Sequence, residues 1–308
     1  MLIKQFQENN LSKRLACGNF KLKVGPFSIR ITSTIPSLTH HLKELYSEFQ
    51  DHSGQNFSDY NLEICKPAGL RKWIRPQVNF IFNESQPFMP LPLTQASPML
   101  EWGLNWVIAN HAHQYLIFHA AGLSKNNTMV IMPAPPGSGK STLTAALMQE
   151  GWRLFSDELV LIDLKSGKAQ AISRPINLKN NSIDVLTTRY PKAYMSNKCH
   201  DTHKGTVALM KPTDISVNNV DTQLSPTHII YPKYEQNSST IVQPLDKSDA
   251  FMELITNSFN YHILYEQGFD AATQLVKNCD AHKLTYSNLD EAITYFNGFA
   301  APKDRELK

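Results

Sequence analysis

The stretch Ala134-Pro135-Pro136-Gly137-Ser138-Gly139-Lys140-Ser141 stands between the apolar run Met129-Val130-Ile131-Met132 and a segment in which Leu143, Ala146 and Leu147 recur at helical spacing as far as Gly151. This order reads as buried strand, tight loop and amphipathic helix, the context in which a Gly-Lys-Ser loop cradles phosphate. The physical reason lies in the backbone. Small residues let several N–H groups point at one anion, and the N-terminus of the following helix adds positive potential. Pro136, Gly137, Ser138, Gly139, Lys140, Ser141 and Thr142 are therefore the expected nucleotide-binding residues. Lys140 is expected at the β/γ-phosphates. The Ser141 hydroxyl is expected at Mg²⁺, a cation that takes oxygen ligands and is held largely through substrate phosphates. The stretch departs from the usual pattern in carrying Ala134 at its first glycine, followed by two prolines that stiffen the loop.

Further on, Trp152 to Asp163 forms two short apolar runs interrupted by Asp157-Glu158. Carboxylates at a strand end beside a phosphate loop have two jobs available: holding Mg²⁺ and accepting the proton of an attacking hydroxyl. A lone Asp-Glu pair is more often a solvated turn. Here it follows Lys140 by seventeen residues, one helix and one strand later, and that position favours the site reading for both acids. The extended stretch from Ile172 to Lys179 offers Arg174 and Lys179 as cations to offset transition-state charge. Residues 197–205, with His200, Asp201, His203 and Lys204, read as a mobile substrate-side loop, since adjacent residues do not converge on one metal.

Composition bounds the rest. A chain of 308 residues with 42% apolar content buries a sizeable core as one domain or two. A net charge of +3, without a dense Lys/Arg run interleaved with aromatics, gives no support to a nucleic-acid partner. Cys17, Cys65, Cys199 and Cys279 have no paired spacing, which argues against a zinc site or disulfide framework and suits a reducing cytoplasm. Met1 to Asn10 carries no secretory signal, and no apolar stretch approaches membrane-spanning length, so no membrane association is expected.

Alternation at Phe27, Ile29 and Ile31, then at Tyr60, Leu62 and Ile64, and again at Val78, Phe80 and Phe82 predicts three strands. Leu38, Leu42, Leu45 and Phe49 share one face of a helix opened by Pro36. His40-His41 within it are not read as metal ligands, because adjacent helical side chains point about 100° apart and no third ligand is evident. The prolines from Gln86 to Pro98 mark a linker, with Ser97 and Pro98 as N-cap and first turn of the next helix. The expected organisation is a small α+β module over residues 1–92 and an α/β phosphate-loop domain over 93–308. In that second part, Tyr115 to His119 begins a strand that turns at Asn126-Asn127 into the strand before the loop, and Ser166-Gly167 marks a further hairpin. Thr227 to Tyr234 and Thr240 to Leu245 read as two strands around an Asn237-Ser238-Ser239 turn, and the remainder as helices with a strand at Leu284 to Tyr286.

From His119 to Asp163 the chain resembles the HPr kinase/phosphorylase catalytic domain, and more loosely, from Leu100 on, the related group described as HprK-related kinase A. His119, Gly139-Lys140-Ser141, Gly151 and Asp157-Glu158 match that pattern without insertion, with Glu158 where the family has an aspartate. The resemblance implies an HPr-kinase-like fold similar to the nucleotide domain of phosphoenolpyruvate carboxykinase. It implies ATP and Mg²⁺ as cofactors and a serine of a protein or peptide as acceptor. It puts the proton acceptor on Glu158, the metal-binding serine on Ser141, and the active-site histidine and lysine on His119 and Lys140, with Asp157 as the metal-side or orienting partner. No segment resembles the family's phosphorylase signature. A homo-oligomer is compatible with this reading. Two other readings stay open: a small-molecule phosphotransferase using the same site, and a nucleotide-binding regulatory module that transfers nothing.

Overall fold

The computed structural model describes residues 1–69 and 74–300. The chain runs α1 (Glu8–Ala16), β1 (Lys21–Val24), β2 (Phe27–Ser33), α2 (Pro36–Leu45), β3 (Tyr60–Cys65), β4 (Gln77–Phe82), β5 (Leu91–Pro92), α3 (Ala96–His111), β6 (Tyr115–Lys125) and β7 (Thr128–Pro133). It continues through α4 (Lys140–Gln149), β8 (Arg153–Ser156), β9 (Leu159–Asp163), β10 (Ala169–Gln170), β11 (Ile176–Lys179), α5 (Asn181–Arg189), β12 (Cys199–Thr202), β13 (Gly205–Met210) and α6 (Asp214–Asn218). The last part is β14 (His228–Tyr234), β15 (Ile241–Pro244), α7 (Lys247–Thr256), α8 (Tyr261–Asn278), β16 (Asp280–Tyr286) and α9 (Leu289–Ala300). The fold is mixed α/β with several sheets. It forms two compact units, Met1–His111 with Arg174–Asn218, and Ala112–Ser173 with Asn219–Lys308. The units therefore do not divide at residue 92. Leu91–Pro92 pairs with Gln77–Val78 as an edge strand, where a proline costs no ladder bond, and α3 belongs with the first unit.

In the first unit a five-stranded sheet in the order β1-β2-β3-β4-β5 carries the alternation read from the sequence. Ile29, Ile31, Leu62, Ile64, Phe80 and Phe82 are buried, each worth roughly 1.5–3 kcal/mol when fully removed from water. Helix α3 comes close to this sheet through Gly103, where a Cβ would lie 2.0 Å from the Phe80 ring. It begins at Ala96, so Ser97 is inside its first turn instead of capping it, because a 3-10 turn over Leu93–Gln95 already leads into the helix.

Glu101 on α3 is buried at the centre of an ionic network within this unit. His41 Nε2 lies 2.9 Å from its Oε1, the Tyr46 hydroxyl donates to both its oxygens at 2.7 and 2.9 Å, and Arg174 Nη1 lies 3.5 Å from Oε2. Burial opposes ionisation of Glu101, but the hydrogen bond from His41, the charges of Arg174 and His41, and the bond from Tyr46 outweigh it and hold the carboxyl below its ordinary value. Arg174 also donates to the Asn105 side chain, so its guanidinium is engaged within the first unit. A second, antiparallel sheet in the order β11-β13-β12 includes Cys199–Thr202, so residues 197–205 are largely a strand and its turn into β13 and not the mobile loop expected.

In the second unit the eight strands include the path β10-β9-β6-β7-β14-β16-β15, with β8 paired to β6. Strands β7, β14 and β16 are mutually parallel where paired, while β6 is antiparallel to β7, β8 and β9. The two strands read around the Asn237-Ser238-Ser239 turn are β14 and β15, and β16 lies between them in the sheet. Leu116, Phe118 and Ala120 of β6 pack with Leu254, Ala272 and Leu275 of α7 and α8, and the alternate residues Ile117, Ala121 and Leu123 are also buried. A strand buried on both faces explains the nearly continuous apolar reading of β6.

Candidate functional site

Strand β6 organises the site in the second unit. On one edge it pairs first with β9, His119 opposite Leu159, and then with β8, Gly122 opposite Ser156. Strands β8 and β9 are thus one strand interrupted at Asp157-Glu158, and the interruption falls opposite Ala120 and Ala121. The register is unbroken across this pair; the bulge lies one step earlier, at Phe155, between Ser156 opposite Gly122 and Leu154 opposite Leu123, and a bulge re-aims side chains and is frequent beside active sites. Ser156 shapes the interruption, its Oγ accepting from the N–H groups of Glu158 at 3.3 Å and Leu159 at 2.9 Å. The Ala120 N–H donates to the Glu158 carbonyl at 3.3 Å.

On the other edge of β6, β7 pairs up to Ala120 opposite Pro133 and then leaves as the 134–139 loop. The vacated edge is taken over by Asn257–Phe259. The His119 N–H donates to the Asn257 carbonyl at 2.6 Å, the Phe259 N–H donates to the Ile117 carbonyl at 2.9 Å, and the Phe259 ring meets the His119 ring edge-on at 5.9 Å. Buried Asn260 completes the edge, accepting from the Ile117 N–H at 2.9 Å and donating to the Tyr115 carbonyl at 2.8 Å. His119, the start of the loop and the acidic pair therefore meet at one level of the sheet.

The loop ends at Gly139, which has φ +82 and precedes the first residue of α4, Lys140. A Cβ at Gly139 would lie 2.7 Å from the Tyr286 hydroxyl and 2.8 Å from Tyr234 Cβ, so only glycine fits. The Tyr234 N–H donates to the Ser138 carbonyl at 2.9 Å and the Tyr286 hydroxyl to the Gly139 carbonyl at 3.3 Å. Burial pushes the Tyr286 phenol well above its ordinary pKa, so it stays a donor. Behind the loop is a tyrosine wall. At Gly137, by contrast, an added Cβ would meet nothing within 4 Å, so that side of the loop is open.

Lys140 is buried, and its Nζ donates to the main-chain oxygen of Asp157 at 3.1 Å. Thr144 Oγ1 donates to the Lys140 carbonyl at 2.8 Å, fastening the first turn. Ser141 and Thr142 follow in that turn and are half-buried, as is Glu158, while Asp157 is buried. Lys140, Asp157, Glu158 and His119 are thus brought together by the sheet, and Pro136 to Thr142 form the loop and helix start beside them. An open loop at a helix N-terminus, with a buried lysine and two acids, has the chemistry to hold an anion and a hard cation and to accept a proton. Tyr234, Tyr286 and Asn260 escaped the sequence reading. The single available signal was the strand pattern at Leu284 to Tyr286, which says nothing of what that strand faces.

No protein-family model and no curated protein matches the sequence. Among solved structures the chain is similar to the Hpr(Ser) kinase/phosphatase from Coxiella burnetii, at 12% identity and a TM-score of 0.27, over 59% of this chain and 96% of that one. A likeness at this level carries no functional weight, and the reading that follows rests on the site itself.

Proposed function

We propose that the chain is an ATP-dependent, HPr-kinase-like serine kinase, transferring the γ-phosphate to a serine hydroxyl of a protein or peptide. The observation that carries this reading is the alignment of the Asp157-Glu158 strand interruption with Lys140 and the loop, expressed in the 3.1 Å contact between Lys140 and the main-chain oxygen of Asp157. The residues fit the cofactors: the loop is open at Gly137, the helix start carries the Ser141 hydroxyl, and the acids stand beside the only lysine of the loop. Bound ATP supplies the transferable phosphoryl group, with Mg²⁺ offsetting its charge.

In this assignment the loop N–H groups and Lys140 hold the phosphates. Ser141 and Asp157 serve the metal side. Glu158 accepts the proton of the acceptor hydroxyl, a weak nucleophile at neutral pH, and its extra methylene over aspartate reaches further from the backbone. His119 orients this arrangement from β6. The reading carries with it a cytoplasmic protein substrate, recruited through the N-terminal part of the chain.

The test is incubation of the purified protein with γ-labelled ATP, Mg²⁺ and a cell extract. Label in a protein, retained as phosphoserine, is the expected result. Label confined to a small metabolite indicates the phosphotransferase alternative, and no transfer to either rejects kinase activity.

A further inference from the structure

We propose that a cleft in the first unit, lined by Arg14, Lys21 and Arg30, binds a phosphate monoester. The hairpin of β1 and β2 sets Lys21 directly opposite Arg30. Like charges at opposed cross-strand positions repel, so the fold carries an unfavourable pair where its own stability gains nothing from one. Arg14 adds a third cation from α1. The three line a cleft of about 560 Å³ that no carboxylate lines among the described residues.

The three cations differ in how they are engaged. Arg14 is held in place: Nη2 lies 2.9 Å from Asp51 Oδ2, Nε donates to the Asn19 carbonyl at 3.2 Å, and the guanidinium sits 4.9 Å from the centre of the Phe6 ring. Lys21 is buried, and its Nζ donates to the neutral carbonyls of Gln55 and Phe57, which leave its charge uncompensated. The Arg30 side chain makes no hydrogen bond or ion pair among the described residues, and its Nε is buried without an acceptor. A buried, unsatisfied guanidinium N–H is costly, and an anion is the group that satisfies it. Asp51 offsets one of the three charges, and two remain for a ligand.

The guanidinium fork matches phosphate in plane and spacing, which selects a phosphate over a diffuse anion. The cleft is larger than the bare ion. Ser53, Gln55, Asn19 and Asn56 line the remainder with hydroxyl and amide groups suited to a polar body carrying the phosphate. No residue of the 134–139 loop lines this cleft.

The probe is glycerol 3-phosphate, titrated calorimetrically into the full chain. Wild-type protein is expected to bind it. Arg30→Gln is expected to weaken binding at least about tenfold, the scale of one lost charge-assisted hydrogen bond, while Lys140→Ala leaves it unchanged. Because Arg30 has no protein partner to lose and opposes Lys21, the ligand-free Arg30→Gln protein is expected to melt at or above the wild-type temperature. Absence of wild-type binding at millimolar probe overturns the proposal, as does equal affinity in Arg30→Gln or loss of binding in Lys140→Ala. A ligand-free Arg30→Gln protein that melts well below wild type also overturns it, by placing Arg30 in the structure's own cohesion. Binding of malate with none of glycerol 3-phosphate rejects the phosphate assignment.

Discussion

The ammonium of Lys140 lies 3.1 Å from the main-chain oxygen of Asp157, seventeen residues further along the chain and one helix and one strand away. This contact joins the loop at the start of α4 to the break between β8 and β9. It holds the loop's only fixed positive charge at the main chain of the acidic pair. On the proposed function, Lys140→Ala removes most nucleotide affinity. Titration calorimetry with Mg²⁺ and ATP checks this, and unchanged affinity would reject the site.

Gly139 has no room for a side chain. An alanine there faces the left-handed conformation, at roughly 1–2 kcal/mol, and also the close approach of Tyr286 and Tyr234. Gly139→Ala is expected to lower the melting temperature and to weaken nucleotide binding together. Thermal melts paired with ATP titration check it, and an unaltered variant would mean that the loop conformation has another determinant.

The two acids are separable by their kinetics. Glu158→Gln is expected to retain ATP affinity and to lose roughly 10²–10⁴-fold in transfer rate, the usual contribution of a positioned base. Asp157→Asn is expected to weaken the dependence on Mg²⁺ as well. Single-turnover transfer from saturating ATP, measured across Mg²⁺ concentrations, distinguishes them. Normal transfer by Glu158→Gln would move the base to Asp157.

In the first unit, Glu101→Ala leaves His41, Tyr46 and Arg174 around a buried gap, and a loss of about 3–5 kcal/mol is expected from breaking a buried ion pair on one side. The carboxyl is held below its ordinary 4.5, so its stabilising contribution is whole above that value and is lost as pH falls through the lower folded-state value. Glu101→Gln should therefore melt below wild type at neutral pH, with the gap narrowing in acid. Chemical and thermal unfolding across pH check both statements. A gap that widens in acid would reverse the sign of the linkage.

The loop, its flanking strand and helix, and the alternation of the first sheet were readable because each is a local pattern: backbone needs of a tight turn, a period of 2 and a period near 3.6. The same local logic marked Asp157 and Glu158 as candidates but gave no account of why the main chain of Asp157 reaches Lys140. That depends on the register of β6 against two partners on one edge, which is set by the packing of the whole sheet. Arg174 shows the same limit, since nothing in its neighbourhood of sequence announces a buried Glu101 seventy-three residues earlier.

By itself the sequence determined that this chain has a glycine-rich loop ending in Gly139-Lys140-Ser141 that opens a helix, apolar strands to carry it, and an acidic pair one helix and one strand later. Only the tertiary structure decided the partners of each element. It set β16 between β14 and β15, gave Gly139 its tyrosine wall, and closed the free edge of β6 with Asn257–Phe259 and the Asn260 amide. It also divided the chain into units that each draw on two separate segments. The physical reason is that conformational preference is a property of neighbours along the chain. Pairing between distant strands is chosen by the total surface buried and the hydrogen bonds satisfied, and no single segment encodes either.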